Sequence, residues 1–166
     1  LMLPEQVVAT TDAATALADS ELVILATPSQ TLRSNLEQWG SLIPKDAVAA
    51  SLIKGIELGT SKRMSEVVSE VAGLTPDRIA VISGPNLANE IADREPAATT
   101  VACVNEDSAR KVQDACTTDY FRPYYTTDVL GVELAGALKN VIALANGMAV
   151  GPVSYTHLRA HETLRY

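Results

Sequence analysis

The feature that most constrains this chain is a repeated alternation of short apolar runs with amphipathic stretches. The runs, which predict strands, are residues 7–10, 22–26, 47–51, 79–82, 99–104 and 120–126. Helices are predicted at residues 13–18, 30–39, 61–72, 87–93 and 107–116. Strands that alternate with helices through short Gly, Pro and Asp turns predict an α/β fold, a parallel sheet with helices on both faces.

Three loops at the predicted strand ends are the first candidates for a ligand site, because such sheets bind ligands beyond the carboxyl ends of their strands. They are residues 27–30, 52–55 and 83–86. Lys54 in the second loop could reach a phosphate or a carbonyl oxygen, or it could be a solvated loop lysine. The third loop, Ser-Gly-Pro-Asn, either brings bare backbone to a ligand or is only a turn with Asn86 as a helix cap.

Residues 129–150 predict one long helix that is apolar almost all round, which is typical of a buried helix. Its partners would come from a second, helical domain. Lys139 interrupts this helix, and burial without a partner favours the neutral form of a lysine. A lysine near neutrality can donate and accept protons. The alternatives are that Lys139 reaches the surface or pairs with a distant carboxylate.

Small residues on the same helix form a narrow stripe at Gly136, Asn140, Ala143 and Gly147. Two glycines inside a helix cost about 1 kcal/mol each relative to alanine. We therefore expect the stripe to admit another helix or a flat ligand close to the helix backbone.

The formal net charge of -7 argues against a nucleic-acid surface and against an anionic membrane face, both of which need clustered cations. No apolar run is expected to span a membrane. Cys103 and Cys116 form no CxxC pair, so we expect two buried thiols in a reducing cytoplasm. His157 and His161 have the spacing of some zinc ligands but no HExxH context, so no metal site is predicted.

Five stretches together resemble the bacterial NAD(P)-dependent glycerol-3-phosphate dehydrogenase family, over about residues 1–151. They are TPSQ (27–30), KGIE (54–57), ISGPNLANE (82–90), GVELAGALKNVIA (131–143) and GMA (147–149). Their order and spacing also fit the family. Two readings stay open beside it: another β-hydroxyacid-type Rossmann dehydrogenase, and a non-catalytic nucleotide-binding module.

The resemblance implies a partial Rossmann domain at residues 1–127, a doubly wound and mostly parallel sheet that lacks its first β-α-β unit. Residues 128–151 would be the first long helix of an all-α substrate domain. Residues 152–166 do not resemble the family; they resemble a translated sequencing adapter, with a natural divergent C-terminus as the alternative. We expect a fragment of this kind to be inactive by itself.

For the parent enzyme the resemblance implies reversible reduction of dihydroxyacetone phosphate to sn-glycerol 3-phosphate with NAD or NADP as cofactor. This activity would feed glycerophospholipid synthesis in the cytoplasm, and a homo-oligomer is compatible with it. Lys139 would be the catalytic lysine. The implied substrate-binding residues are Lys54, Gly84, Asn86, Lys139 and Asn140. The implied cofactor-binding residues are Pro28, Lys54 and Ala88.

Overall fold

Five strands and six helices alternate along the computed structural model, which describes residues 5–150. The strands are β1 (Leu22–Leu25), β2 (Val48–Ser51), β3 (Ile79–Ser83), β4 (Ala97–Ala102) and β5 (Phe121–Thr126). The helices are α1 (Ala13–Leu17), α2 (Leu32–Trp39), α3 (Met64–Ala72), α4 (Ala88–Ala92), α5 (Glu106–Cys116) and α6 (Val129–Val150). Most predicted elements are therefore confirmed to within a few residues.

The strands form one sheet in the order β1-β2-β3-β4-β5, and only the β3–β4 pair is antiparallel. The mostly parallel sheet implied by the resemblance is confirmed. The alternation of strands and helices predicted only parallel pairs, and this prediction is wrong at β3–β4. The reason is the short connection between these two strands. The five residues of α4 rise only about 7.5 Å, so this helix is too short to carry the chain back along β3 in a crossover.

Two separate cores cover the two faces of the sheet, as in a doubly wound fold. On one face α1, α2 and α3 pack on the sheet through side chains such as Leu36 and Val67. On the other face α5 packs through Val112. Neighbouring residues of β2 point to opposite cores, since Ala49 belongs to the first and Ala50 to the second. This alternation follows from the period of two along a strand.

Two predicted elements differ from the structure. Residues 7–10 are not a strand, and Val8 is 82% exposed. β-branched residues alone do not make a strand when no neighbour in the described part of the chain pairs with them. The helix predicted from residue 61 begins only at Met64, because Ser61 has a left-handed φ of 57° and Arg63 pairs with Ile56 in an isolated bridge.

The described residues divide into two compact units within α6, the first ending at Gly136 and the second beginning at Ala137. In the second unit, α6 carries exposed apolar side chains; Leu144, for example, is 66% exposed. The predicted burial of this helix requires partners from a second, helical domain, so it stays a prediction. The likeness of residues 152–166 to an adapter, and both histidines, lie outside the described residues.

Helix α6 also corrects the expectation about membranes. Its segment Val129–Ala149 has a mean hydropathy of 1.4, so it is long and apolar enough to cross a membrane by length and composition alone. However, the start of the helix packs on the α/β unit through the buried side chain of Glu133. That contact places the start of α6, but not its remaining turns, in the folded α/β unit.

Candidate active site at the strand ends

Lys54 lies just beyond β2 and its amine reaches the loop that follows β3. The Nζ atom donates a hydrogen bond to the carbonyl oxygen of Gly84 at 3.0 Å. Strands β2 and β3 are parallel neighbours, so their carboxyl ends meet at the same edge of the sheet. The two predicted loops are therefore joined by one of the predicted site residues.

A pocket of about 440 Å³, called the strand-end pocket below, opens at this edge. Four of the predicted residues line it: Lys54, Gly84, Asn86 and Ala88. The other lining residues are mostly apolar, namely Ile24, Leu52, Ile82, Ser83, Ile91, Cys116 and Phe121. An apolar wall with one cationic group is the usual composition of a small-ligand site.

A smaller pocket of about 280 Å³ adjoins the first, because Leu52 and Lys54 line both. Pro28, predicted to contact a cofactor, lines this second pocket. Lys54 thus stands where a ligand in one pocket and a ligand in the other would both reach it.

Gly84 is required by the close approach of β4. A Cβ atom built there would lie 2.7 Å from Oδ1 of Asn86 and 3.1 Å from Cα of Thr99. Asn86 in turn donates from Nδ2 to the carbonyl oxygen of Ala98 at 2.7 Å. The predicted helix cap is wrong, since Leu87 is the N-cap of α4 and no side chain caps it. The amide of Asn86 instead ties the loop to β4.

Gln30 holds the loop after β1 against the loop after β2. Its Nε2 donates to the carbonyl oxygen of Ile56 at 2.9 Å, and its Oε1 accepts from the amide of Leu58 at 3.0 Å. Gly55 has a φ of +140°, and a Cβ there would meet Ser29 at 3.1–3.2 Å. A glycine is therefore needed where these two loops touch.

Glu57 anchors the far side of the Lys54 loop. Arg33 donates from Nε and Nη2 to the two carboxylate oxygens of Glu57, at 3.0 and 2.9 Å, in a bidentate pair. Thr60 Oγ1 donates to the same carboxylate. The hydrogen bonds from Arg33, and next the one from Thr60, hold the pKa of Glu57 below its usual value.

This ion pair makes stability depend on pH in the acid range. Because the folded-state pKa of Glu57 is depressed, its contribution is fully present above the unfolded value of about 4.3 and is lost as pH falls through the folded-state value. We expect Glu57→Gln to destabilise the chain at pH 7, and the difference from wild type to shrink towards pH 3 in urea unfolding. Glu37→Gln, on the exposed side of α2, is the matched control and should show no such convergence.

Gly136 brings the start of α6 against the wall of the site. A Cβ atom at Gly136 would lie 2.7 Å from Oγ of Ser83 and 3.6 Å from Cγ of Lys54. The predicted close approach along the small stripe is thus present at Gly136. At Gly147 a Cβ atom would meet nothing within 4 Å.

The two glycines make a matched pair for mutation. Alanine at Gly147 should stabilise the helix by about 1 kcal/mol through helix propensity. Alanine at Gly136 gains the same propensity but meets Ser83, so we expect a net destabilisation of about 1 kcal/mol. Urea unfolding together with hydrogen exchange in α6 measures both effects. Adding Ser83→Ala to Gly136→Ala should restore stability. Equal effects of Gly136→Ala and Gly147→Ala on stability would contradict the contact between Gly136 and Ser83.

Glu133 is an acidic residue in the otherwise apolar sequence at the start of α6. Its side chain is 6% exposed, and it accepts hydrogen bonds from Arg63 and from both the amide and the hydroxyl of Ser65. One acidic residue inside an otherwise apolar stretch was the available signal. The arginine that pairs with this carboxylate lies 70 positions away, and spacing in the sequence does not identify it.

Lys139 and Asn140 belong to the second unit and lie on α6, three and four residues after Gly136. Both are exposed within the described part of the chain, so the predicted burial of Lys139 is not observed there. Their roles stay predictions.

Cys103 is buried and Cys116 is half-buried, and both are free thiols. Burial raises the pKa of each thiol, so both are less reactive than an exposed cysteine. Between residues 5 and 150 no group of three His, Cys, Asp or Glu side chains could hold a metal ion.

A separate pocket of about 370 Å³ lies in the α/β unit near the start of α6. Arg63, Val104 and Leu130 are among its lining residues. It is lined by none of the predicted site residues, so a ligand in the strand-end pocket would not contact it.

Comparison with known families gives two matches. The N-terminal family of NAD-dependent glycerol-3-phosphate dehydrogenase matches residues 1–109. The C-terminal family of the same enzyme matches residues 128–160, which reaches into the segment that did not resemble the family in sequence.

Among curated relatives, glycerol-3-phosphate dehydrogenase [NAD(P)+] of Frankia casuarinae is 59% identical over 151 residues, and that of Corynebacterium diphtheriae 57% identical. These alignments cover 91% of this chain but 45% and 46% of the relatives, so the chain spans less than half of their length.

The solved glycerol-3-phosphate dehydrogenase of Coxiella burnetii is 32% identical, with a TM-score of 0.78 over 88% of this chain and 44% of that one. The Plasmodium falciparum enzyme has a TM-score of 0.82 at 28% identity, over 95% and 45%. The fold, the loops and these matches together lead to one assignment. The chain belongs to the NAD-dependent glycerol-3-phosphate dehydrogenase family.

Proposed function

We propose that the parent enzyme to which this chain belongs reversibly reduces dihydroxyacetone phosphate to sn-glycerol 3-phosphate with NADH or NADPH. The observation that carries the proposal is the meeting of Lys54, Gly84, Asn86 and Ala88 in one pocket at the strand ends of a chain from this family. The product would enter glycerophospholipid synthesis in the cytoplasm.

The described residues fit the nicotinamide end of such a cofactor. The pocket offers an apolar wall for a flat ring, and the bare backbone of Gly84 lines that wall. Pro28 and Lys54 line the adjoining pocket. No G-x-G-x-x-G turn, which would hold the pyrophosphate, occurs in the 166 residues. When bound, the reduced nicotinamide supplies the hydride.

In the proposed mechanism, Lys139 donates a proton to the carbonyl oxygen of the substrate as that oxygen becomes an alkoxide. In the reverse direction its neutral amine takes the hydroxyl proton. Asn140 accompanies Lys139 and helps to orient the substrate.

Lys54 is proposed to stabilise negative charge on the substrate, at its carbonyl oxygen or its phosphate. Its hydrogen bond to Gly84 supports this role, because Gly84 lines the same pocket and the bond holds the amine beside it. The backbone of Gly84 and the side chain of Asn86 would limit where the substrate can lie.

The test is turnover by a chimera in which residues 1–151 of this chain replace the aligned segment of the Corynebacterium diphtheriae relative. We expect it to oxidise glycerol 3-phosphate and to reduce dihydroxyacetone phosphate, with little activity on 3-hydroxyacids. The unmodified relative is the control for expression and assay.

Two outcomes would defeat the proposal. Preferential oxidation of 3-hydroxyacids would favour the related hydroxyacid dehydrogenases. Cofactor binding with no turnover of any of these substrates would favour a non-catalytic nucleotide-binding module.

A further inference from the structure

We infer that Glu133 is a positioning residue, whose buried carboxylate, held by Arg63 and by the first turn of α3, sets the start of α6 against the strand-end pocket. The kinetic part of the inference rests on the proposed function. The structural part, which concerns the first unit alone, can be tested independently.

The carboxylate of Glu133 receives three hydrogen bonds. Arg63 Nη1 donates to Oε2 at 2.6 Å, Ser65 Oγ donates to the same oxygen at 2.6 Å, and the Ser65 amide donates to Oε1 at 2.9 Å. Ser65 lies in the first turn of α3, where the helix dipole also favours a negative charge. Because three donors point at one carboxylate, the helix that carries it can take only one rotational setting.

The second fixed point of the same helix is Gly136, one turn further along. Residues three apart lie on one face of a helix, and Gly136 is the position that approaches Ser83 and Lys54. A rotation or shift at Glu133 would therefore move the helix backbone at Gly136 away from the pocket wall or into it.

Arg63 also connects this contact to the loop that bears Lys54. It pairs with Ile56 across an isolated bridge, and Glu57 donates its amide to the carbonyl oxygen of Lys62 at 2.9 Å. The segment from Lys54 to Arg63 therefore forms a loop whose two ends lie side by side. Glu133 binds Arg63 at the second of these ends. One side chain thus contacts both the start of α6 and the end of the loop that bears Lys54.

The Arg63–Glu133 ion pair has a buried carboxylate and an arginine side chain that is 24% exposed, and such a pair is weak evidence for a role in stability alone. Replacing such pairs by apolar groups is often neutral for stability, because the cost of removing two charges from water is large. What three converging hydrogen bonds do supply is a single geometry. Small displacements of this kind affect rates strongly, since a misplacement of about 1 Å can lower a rate by about 100-fold.

The first experiment is hydrogen exchange on the 166-residue chain with Glu133→Gln, which keeps size and removes the charge. We expect exchange to rise by about tenfold in peptides that cover residues 129–136 and 52–58. Glu66→Gln is the matched control, because Arg63 also pairs with Glu66 at the surface and glutamine can keep the capping box. Exchange in Glu133→Gln equal to wild type would overturn the inference.

The second experiment measures turnover in the chimera. Glu133→Gln should lower kcat by at least about tenfold while the dissociation constant of NADH stays within about twofold. Val112→Ala, in the core on the other face, should lose melting temperature but keep kcat. Equal losses of kcat in the two variants would show a structural role only and would overturn the inference. If the unsubstituted chimera has no turnover, the proposed function fails, and the exchange result alone decides whether Glu133 anchors α6.

Discussion

Lys139→Ala in the chimera should lower kcat by about 1,000-fold, since general acid–base catalysis by one side chain contributes about 10²–10⁴. The physical reason is that the forming alkoxide would have no proton donor. The NADH dissociation constant should change by less than about threefold, because Lys139 is proposed to act on the substrate and not to bind the cofactor. Stopped-flow reduction of dihydroxyacetone phosphate and fluorescence titration of NADH measure the two quantities.

Lys45→Ala is the matched control, since Lys45 is an exposed lysine before β2. It should leave kcat unchanged. If Lys139→Ala kept more than about a tenth of the wild-type kcat, another group would have to supply the proton and the assignment would be wrong.

Gly84→Ala should be the most damaging change in the pocket itself. The added Cβ would lie 3.1 Å from Cα of Thr99, which is backbone of β4, and 2.7 Å from Oδ1 of Asn86. The loop must therefore move, and overpacking of this kind costs about 1–3 kcal/mol. Urea unfolding of the chain should show that loss. In the chimera the KM for dihydroxyacetone phosphate should rise by about tenfold or more.

Thr99→Ala distinguishes a backbone clash from a side-chain clash. It removes the Oγ1 atom that lies 2.9 Å from the added Cβ but leaves Cα in place. Combined with Gly84→Ala it should therefore restore only part of the stability. Complete restoration would mean that the loop is limited by the threonine side chain and not by the approach of β4.

Sequence patterns predicted the helix and strand layers of this fold, because apolar residues recur with a different period in helices and in strands. Continuous apolar runs identified β2 and β3, whose residues point to two cores. The direction of β4 was not predictable in this way, since it depends on the length of α4 and not on any periodicity. The run at residues 7–10 shows the same limit, because strand formation needs a neighbour that local sequence does not reveal.

Some contacts of the candidate site could be predicted from the sequence and others could not. Lys54 and Gly84 could be predicted to meet, because parallel neighbouring strands bring their ends to one edge. The contact of Asn86 with Ala98 and the contact of Glu133 with Arg63 could not, since both join segments whose spacing in sequence carries no signal. The resemblance supplied candidate residues for the site but not the side chains that hold those residues in place.

The most direct test of the account is hydrogen exchange of the chimera with and without NADH and glycerol 3-phosphate. If the strand-end pocket is the site, protection should appear in peptides that cover residues 52–55 and 83–88. The pocket lined by Arg63, Val104 and Leu130 should show none beyond that of the protein without ligands. Protection confined to that second pocket, with the strand-end loops unchanged, would contradict the account.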